Sequence, residues 1–303
     1  MIGGTFFLQN NKPNLMLVDG MALLFRAYFA TAVNGQFMFN SKGTPTNAVY
    51  GFVKHFLTAV SNFNPSHVAV CWDMGSKTFR SEIYSEYKAN RSEAPIELIP
   101  QFDLVKEVVS SFDIPNIGIG GFEADDCIGT IARHASKEAN IHILTGDQDI
   151  LQLLDDNIFV VLMKKGIGNY LVHTKDTFFE EKGITPRQMI DLKALMGDPS
   201  DNYPGVKGIG EKTALKLLTQ FQDVDGVVAN LHQLTKGQKT KIEQDLEMLY
   251  LSRKLAEIKC DVPVTYNMEE ALFKFEQEKV LSKFAEVEMR GLHRLLDVDQ
   301  LFA

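Results

Sequence analysis

The sequence predicts an α/β fold with a central, mostly parallel sheet, followed by a helical part. Short apolar runs of strand length recur through the first half of the chain, helical patterns separate them, and three of the runs end in an aspartate. Strands that alternate with helices indicate βαβ units and a parallel sheet. From about Thr185 only helical patterns remain, so we place a domain boundary near residue 184.

Each predicted element has a local signal. The apolar runs that we assign to strands are residues 15–18, 67–72, 114–119 and 141–145. The amphipathic segments that we assign to helices are residues 21–30, 47–63, 100–112, a stretch beginning near 123, 186–196, 211–221 and 236–250. Thr46 is of the residue type that caps a helix N-terminus. Because ligands of parallel sheets bind beyond the carboxyl ends of the strands, Asp19, Asp73 and Asp147 mark the expected site.

The composition indicates a folded protein in a reducing compartment. The chain has 303 residues, of which 45% are hydrophobic, and this supports a large core in one or two domains. No stretch approaches the roughly 18 apolar residues of a membrane helix, and the N-terminus does not resemble a signal peptide. The three cysteines have neither disulfide nor metal-type spacing. We therefore expect a cytoplasmic protein without a membrane partner.

The net charge of −8, taken over the whole chain, argues against a nucleic-acid partner. A site that gathers carboxylates for divalent cations also makes a protein acidic, but it does not repel DNA once the cations are bound. The positions of the charges are therefore more informative than their total.

Nine acids follow strands, begin helices or lie in turns. They are Asp19, Asp73, Glu123, Asp125, Asp126, Asp147, Asp149, Asp198 and Asp201. Each cluster alone is also typical of a charged first helical turn or a solvated turn. Together, converging carboxylates repel one another unless cations neutralise them, and oxygen ligands without His or Cys favour Mg²⁺ or Mn²⁺ over zinc. Two such ions would clamp the attacking and leaving oxygens of a phosphodiester.

A glycine-rich turn joins two predicted helices at residues 204–214. Its glycines, which permit tight backbone geometry and close approach of a phosphate, are Gly205, Gly208 and Gly210. Residues 204–241 carry six lysines against three acids, a net charge of +3 in a chain whose total is −8. The lysines closest to the turn are Lys207, Lys212 and Lys216. This asymmetry indicates binding to a nucleic-acid backbone, and a glycine-rich connection without a ligand is the alternative.

Residues 76–97 mix basic, acidic and aromatic side chains without an apolar stripe. A solvated helical face is the usual explanation of such a mixture. The side chains that also suit stacking on bases and holding the phosphates of a single strand are those of Tyr84, Tyr87, Lys88 and Arg91.

Six ordered segments resemble the flap endonuclease family, which includes bacterial and phage 5′ nucleases and the 5′→3′ exonuclease domain of DNA polymerase I. The segments are LMLVDGMALLFRAYFA, VAVCWDM, FRSEIYSEYKANR, FEADDCIGTIA, ILTGDQDILQL and MGDPSDNYPGVKGIGEKTALKLL. They span residues 15–218, and residues 1–13 form an extension that they do not explain. The resemblance implies a PIN-like catalytic domain over residues 14–184, with a helical arch at residues 76–97. It also implies a helical DNA-binding part over residues 185–303.

The resemblance implies individual roles as well. The residues that resemble ligands of a first metal are Asp19, Asp73, Glu123 and Asp125, with Asp126 beside them. Those that resemble the second-metal set are Asp147, Asp149, Asp198 and Asp201. Lys88 resembles the lysine that assists at the scissile phosphate, with Arg80 and Arg91 as supporting bases. The turn from Gly205 to Thr213 resembles a helix–turn–helix variant that grips duplex DNA, often with K⁺ on its backbone carbonyls.

We therefore predict a stand-alone, monomeric 5′ nuclease that acts on DNA with 5′ flaps or single-strand/double-strand junctions. It would use two Mg²⁺ ions, for which Mn²⁺ would substitute. It would remove flaps and RNA primers in a bacterial nucleoid, with a functional link to DNA polymerase I. The alternatives are a DNA-binding protein with little catalysis, an RNA nuclease with a related sheet, and a phosphatase of small phosphoesters. The complete second-metal set argues against the first, and the glycine turn argues against the others.

Overall fold

The computed structural model describes residues 12–32, 35–75 and 77–296. Its sheet has the strand order β3-β2-β1-β4-β5-β6. The strands are β1 (Asn14–Asp19), β2 (His67–Cys71), β3 (Asn116–Ile117), β4 (Asn140–Thr145), β5 (Ile158–Met163) and β6 (Tyr170–His173). Strands β1 to β5 are parallel, and β6 pairs with β5 in the antiparallel direction. The prediction of a central, mostly parallel sheet is confirmed.

Helices cover both faces of this sheet. Those of the first half are α1 (Gly20–Thr31), α2 (Asn47–Phe63), α3 (Phe79–Ile83), α4 (Ile99–Ser110), α5 (Ala124–Ala135) and α6 (Lys175–Lys182). Those of the second half are α7 (Gln188–Met196), α8 (Glu211–Phe221), α9 (Val224–Ala229), α10 (Lys236–Gln244), α11 (Leu246–Ala256) and α12 (Gln277–Val287). None of the helices within the described residues is both long and apolar enough to cross a membrane.

The central strand shows why both faces are covered. Along β1, Leu15 and Leu17 pack into a core with α5 and the helices after residue 184, whereas Met16 and Val18 pack into a second core with α1 and α2. Successive residues of a strand point to opposite faces, so an uninterrupted apolar strand requires cover on both sides. Phe273 and Phe284 close the second core from the C-terminal segment.

The structure differs from the predicted elements in several places. Strands β5 and β6 and helix α6 lie between residues 150 and 184, where we assigned no element. The predicted helix over residues 236–250 is two helices that meet at Asp245, whose carboxylate accepts a hydrogen bond from the backbone N of Lys207 at 2.8 Å.

The arch segment is less helical than expected. It contains the five-residue helix α3 and then turns up to α4. Pro95 and the left-handed backbone of Lys88, whose φ is +55°, interrupt any continuous helix between them. Ser76 of this segment lies outside the described residues, as do residues 1–11 of the N-terminal extension and residues 297–303 of the predicted DNA-binding part.

Candidate active site

The chain changes direction across the sheet between β1 and β4. It runs from β1 outwards through β2 to β3 and then returns to β4 on the other side of β1, which opens a crevice beyond the strand ends. Asp19 ends β1 and caps α1, and its Oδ1 accepts a hydrogen bond from the backbone N of Ala22 at 2.9 Å. The Thr145 hydroxyl donates to Oδ2 of Asp19 at 2.7 Å and accepts from the backbone N of Asp147 at 3.0 Å. Thr145 therefore ties the two acids together.

Strand β2 and helix α5 bring further acids to the same crevice. Asp73 follows β2, and its Oδ1 accepts a hydrogen bond at 2.7 Å from the backbone N of Ala124, the first residue of α5. Glu123 caps this helix and Asp125 lies in its first turn, where the helix dipole favours negative charge. We call the following set the acidic edge: Asp19, Asp73, Glu123, Asp125 and Asp147.

The acids of the acidic edge repel one another. Burial and then the charges of Asp73 and Asp147 raise the pKa of Asp19 to about 6. Burial also raises the pKa of Asp125 well above its usual range, and Asp19 and Asp147 add to the shift. The Asp125 carboxylate accepts no hydrogen bond from the described part of the chain. Asp19 and Asp125 therefore form no ion pair within the described residues.

A lysine that the sequence analysis did not identify neutralises the next two acids. Nζ of Lys193, on α7, lies 2.7 Å from Oδ1 of Asp149 and also bonds Oδ2 of Asp198. Oδ1 of Asp198 accepts hydrogen bonds from the backbone N and the hydroxyl of Ser200 at 2.7 and 2.6 Å. Burial acts to raise the pKa of Asp198, but Lys193 and Ser200 hold it below its usual range. A lysine inside the otherwise apolar run LKALM was the available signal.

Asp201 lies against the arch segment. Nη2 of Arg91 lies 2.6 Å from Oδ1 of Asp201, and the Tyr87 hydroxyl donates to Oδ2 at 3.0 Å. The backbone N of Lys88 donates to the Asp201 carbonyl at 2.9 Å. These bonds fasten the middle of the arch segment to the loop that carries Asp198 and Asp201.

Lys88 lies between two groups of acids. Its Nζ is 2.7 Å from Oε1 of Glu123 and 3.9 Å from Oδ2 of Asp201. Burial acts to lower the pKa of Lys88, but the two carboxylates outweigh burial and raise it above the usual lysine value. About a quarter of the side chain, 24%, is exposed. Lys88 is therefore a cation at neutral pH, and it is open to a ligand from solvent.

Asp126 and Arg80 require a correction. Asp126 was grouped with the metal ligands, but it is fully buried and both of its oxygens lie 2.8 Å from guanidinium nitrogens of Arg80. The backbone N of Lys259 also donates to it at 2.8 Å. Arg80 is 2% exposed, so it cannot reach a phosphate as a supporting base. This ion pair instead fixes the start of α5 against the helical part.

Tyr87 requires a second correction. We predicted that it stacks on bases, but it is 7% exposed and its hydroxyl donates to Glu123 at 3.2 Å as well as to Asp201. Tyr87 belongs to an apolar cluster that includes Ile190, and Tyr84 is partly buried against this cluster. Tyr87 therefore positions acids in this arrangement, and its ring has no open face for a base.

Within residues 12–32, 35–75 and 77–296, no three His, Cys, Asp or Glu side chains form a ready-made metal-binding group. The ammonium groups of Lys88 and Lys193 lie between the acids instead. The donors are nevertheless all carboxylates, which Mg²⁺ and Mn²⁺ prefer. A divalent cation would also offset the burial and the repulsion that raise the pKa of Asp19 and Asp125. The acidic edge therefore suits such an ion chemically.

The three glycines of the glycine turn have different surroundings. Gly205 has a φ of +61°, and a Cβ there would lie 2.3 Å from the backbone N of Gly197. The carbonyl of Gly208 accepts a hydrogen bond from Nζ of Lys241 at 3.0 Å. Gly210 caps α8 with open space around its Cα. Gly210 therefore offers room for a phosphate, whereas Gly205 is required by close packing.

The lysines near this turn are open to solvent. Lys207, Lys212 and Lys216 are exposed, and none forms an ion pair with a carboxylate of the described residues. The backbone N of Thr213 bonds the Gly210 carbonyl at 3.0 Å, so it is not free for an anion. The region therefore presents unpaired lysines beside a helix N-terminus, which is what binding to the phosphate backbone of a nucleic acid requires.

Sequence comparison assigns both halves of the chain. Residues 14–183 match the family described as 5′-3′ exonuclease, N-terminal resolvase-like domain, and residues 184–279 match 5′-3′ exonuclease, C-terminal SAM fold. The chain is 56% identical over 290 residues to a 5′-3′ exonuclease of Bacillus subtilis (strain 168), covering 96% of this chain and 97% of that one. It is 42% identical over 280 residues to DNA polymerase I of Bacillus caldotenax. That match covers 91% of this chain but 31% of the polymerase.

Solved structures support the fold. The 5′-exonuclease of bacteriophage T5 with bound zinc has a TM-score of 0.67 at 24% identity, covering 91% of this chain and 98% of that one. The T5 flap endonuclease in a pseudo-enzyme-product complex with DNA and metal ions has a TM-score of 0.66 at 22% identity, covering 95% and 99%. At these identities the likeness concerns the fold alone. The two domain matches and the 56% identical relative, however, show that this chain belongs to the 5′-3′ exonuclease family.

Proposed function

We propose that the protein is a structure-specific 5′ nuclease, a flap endonuclease and 5′-3′ exonuclease that hydrolyses phosphodiesters near single-strand/double-strand junctions. One observation carries the proposal: Nζ of Lys88 lies 2.7 Å from Glu123, at a crevice where carboxylates repel one another. Carboxylates that repel one another attract divalent cations, and the exposed ammonium group of Lys88 beside them attracts a phosphate.

Two groups of acids would hold the metals. The first is the acidic edge around Asp19 and Asp125, and the second comprises Asp149, Asp198 and Asp201, with Asp147 between them. Asp126 is left out because Arg80 occupies its oxygens. We favour Mg²⁺, with Mn²⁺ as a substitute. When bound, such ions activate water and stabilise the leaving oxygen of a phosphodiester. Potassium at the glycine turn is not part of the proposal, because Lys241 holds the Gly208 carbonyl.

The chain itself supplies the remaining charges. Lys88 would move from Glu123 to the scissile phosphate and neutralise the charge that develops in the transition state. Arg91, whose side chain is 52% exposed, would hold a neighbouring phosphate. Tyr87 and the Arg80–Asp126 pair would keep Glu123 and α5 in place. Both cations begin on carboxylates, so their release would accompany binding of metal and substrate.

The substrate follows from the two basic surfaces. The exposed lysines around Gly210 would hold duplex DNA, and the arch segment would guide a single strand to Lys88. Relatives named for flap endonuclease and DNA polymerase I activity support a role in replication and repair. We extend this to removal of RNA primers in the bacterial nucleoid by a monomer, with residues 14–184 as the catalytic domain and residues 185–303 as the DNA-binding part.

The test is cleavage of a 5′-labelled flap duplex with Mg²⁺, with Mn²⁺ and with EDTA. We expect flap release that requires either metal and that is absent with EDTA. A matched RNA flap measures the preference for DNA, and para-nitrophenyl phosphate tests phosphatase activity. Tight binding of the flap duplex without cleavage under any divalent ion would favour a DNA-binding protein instead. Hydrolysis of para-nitrophenyl phosphate without DNA cleavage would favour a phosphatase.

A further inference from the structure

A cavity of about 520 Å³ lies between α1, α2 and the turn that joins β5 to β6. The side chains that line it and carry the argument are Arg26, Phe29, Lys54, His55, Lys165 and Ile167. It belongs neither to the acidic edge nor to the glycine turn. We call it the basic cavity.

The charge of the basic cavity is of one sign. Arg26, Lys54 and Lys165 line it, and its lining contains no Asp or Glu. None of the three cations forms an ion pair with a carboxylate of the described residues, although the chain carries 39 acids against 31 lysines and arginines. Three unpaired cations around one concave surface attract an anion.

His55 lies at the buried wall of the cavity. It is 4% exposed, and its Nδ1 has no hydrogen-bond partner within the described chain. Burial, with the charges of Arg26 and Lys54, lowers its pKa to about 4. The ring is therefore neutral at pH 7. A buried polar atom without a protein partner is uncommon, and its usual partner is a water molecule or a bound ligand.

The mouth of the cavity is apolar and flat. Phe29 is 65% exposed and Ile167 is 44% exposed. Phe29 is one of a run of aromatic side chains, because its ring lies 6.4 Å from that of Phe25 and 5.3 Å from that of Tyr28. Exposed rings beside unpaired cations suit a base attached to a phosphate.

Arg26 connects the cavity with the acidic edge. Its guanidinium donates a hydrogen bond to the carbonyl of Lys164. A Cβ placed on Gly146 would lie 3.9 Å from Nη1 of Arg26, and Gly146 directly precedes Asp147. The basic cavity and the acidic edge are therefore neighbours at Arg26 and Gly146.

We infer that the basic cavity binds a nucleotide, with the phosphate on Arg26, Lys54 and Lys165 and the base on Phe29. Where the nucleotide is part of bound DNA, the inference rests on the proposed nuclease function. A free nucleoside monophosphate has the same chemistry and is the second source. If the nucleotide belongs to DNA, the cavity extends the substrate surface to α1 and α2.

The first experiment is equilibrium dialysis of metal-free protein against 2′-deoxyadenosine 5′-monophosphate, with deoxyadenosine as the uncharged comparison. The variant is Lys54→Glu with Lys165→Glu. The control is Lys274→Glu, which reverses another exposed, unpaired lysine outside the cavity. We expect at least tenfold weaker nucleotide binding in the double variant and unchanged binding in the control. Phe29→Ala, at an exposed position that threatens folding little, should weaken binding about threefold.

The second experiment measures kcat and KM for a flap duplex with Mg²⁺. If the nucleotide belongs to the DNA, the double variant raises KM at least tenfold and leaves kcat within twofold. Weaker monophosphate binding with an unchanged KM identifies the free nucleotide as the ligand. The inference is overturned if the double variant matches Lys274→Glu in both experiments. A wild type that cuts no flap would refute the proposed function, whereas the dialysis would still test the cavity.

Discussion

Arg26 of the basic cavity lies beside Gly146, which directly precedes Asp147 of the acidic edge, and burial shifts pKa values in the two regions in opposite directions. In the acidic edge burial raises the pKa of Asp19 to about 6, and in the cavity it lowers the pKa of His55 to about 4. Within the described residues, Asp19 and Asp125 of the acidic edge form no ion pair, and neither do Arg26, Lys54 and Lys165 of the basic cavity. Arg80 and Asp126, by contrast, are buried charges that pair with each other. Unpaired charge of one sign is therefore the feature on which both proposed ligand sites depend.

The largest effect should follow from removing one of the acids that would hold the metals. Asp147 raises the pKa of Asp19, Asp125 and Asp149, which places it near all three. We expect Asp147→Asn, and likewise Asp201→Asn, to lower kcat for flap cleavage at least about 100-fold. Flap binding in Ca²⁺ should stay within about threefold of the wild-type affinity, because the exposed lysines that would hold the duplex are unchanged. Normal turnover by both variants would contradict the two-metal assignment.

Two neighbours on α5 test whether paired and unpaired acids differ. Asp126→Ala removes the carboxylate that bonds two nitrogens of the buried Arg80 and leaves only the longer contact to Glu123, at 3.4 Å, as its ion pair within the described residues. This substitution should lower the free energy of unfolding by about 3–5 kcal/mol. Asp125→Ala removes a carboxylate that Asp19 and Asp147 repel, and should leave the metal-free protein equally or more stable. Urea unfolding of the metal-free proteins at pH 7 measures both. Equal destabilisation by the two substitutions would show that paired and unpaired acids of α5 do not differ in their contribution to stability.

The pH dependence of stability separates the two regions. His55 has a pKa of about 4 in the fold and an ordinary value of 6.5, so the unfolded chain binds more protons between these values. Stability should therefore fall by about 2 kcal/mol from pH 7 to pH 5 through this group. Asp19 acts in the opposite direction, because its pKa of about 6 in the fold exceeds its ordinary value of 3.8. The folded state therefore binds the extra proton between these values, and the free-energy cost of burying the charged carboxylate is relieved as the pH falls towards 4.

The comparison is made by thermal unfolding of wild type, His55→Gln and Asp19→Asn at several pH values without metal. The stability of His55→Gln should fall less than that of the wild type as the pH is lowered. The stability of Asp19→Asn should fall more than that of the wild type. A pH profile that neither substitution changes would mean that both groups titrate at ordinary values.

The smallest effect concerns the glycine turn. Lys212 is exposed and forms no ion pair within the described residues. Lys212→Ala should weaken flap binding about three- to tenfold and reduce the slope of log affinity against log salt by about 1. Lys274→Ala serves as the control, because it also removes one exposed lysine. An unchanged salt slope would exclude a phosphate contact at Lys212.

The sheet and its acids were predictable because they depend on local pattern. The apolar runs before Asp19, Asp73 and Asp147 are parallel strands of the structure. Asp19 ends its strand, Asp73 and Asp147 follow theirs, and all three acids lie at one edge of the sheet. The apolar run IFVVLM of β5 carries the same signal, although we assigned no strand there. The break at Asp245 depends instead on a bond to the distant backbone of Lys207.

The partners of the acids were not predictable in the same way. Arg80 and Asp126 are 46 positions apart, and no spacing rule joins them. Tyr87 looked like a base-stacking residue because its neighbours are basic, but tertiary packing buries its ring. Periodicity indicates which face of an element is buried, whereas the pairing of charges depends on how elements meet in three dimensions.

The contact between Gly197 and Gly205 has a consequence for where the strand is cut. A Cβ on Gly197 would lie 2.4 Å from the carbonyl carbon of Pro204, and the bonds between Asp198 and Tyr203 close the intervening loop. The acids of this loop and the turn that would hold the duplex are therefore a single rigid piece of backbone. A rigid piece of this kind would keep a constant distance between the bound duplex and the position of cleavage. The cleavage position would then be measured in nucleotides from the junction, whatever the base sequence of the flap.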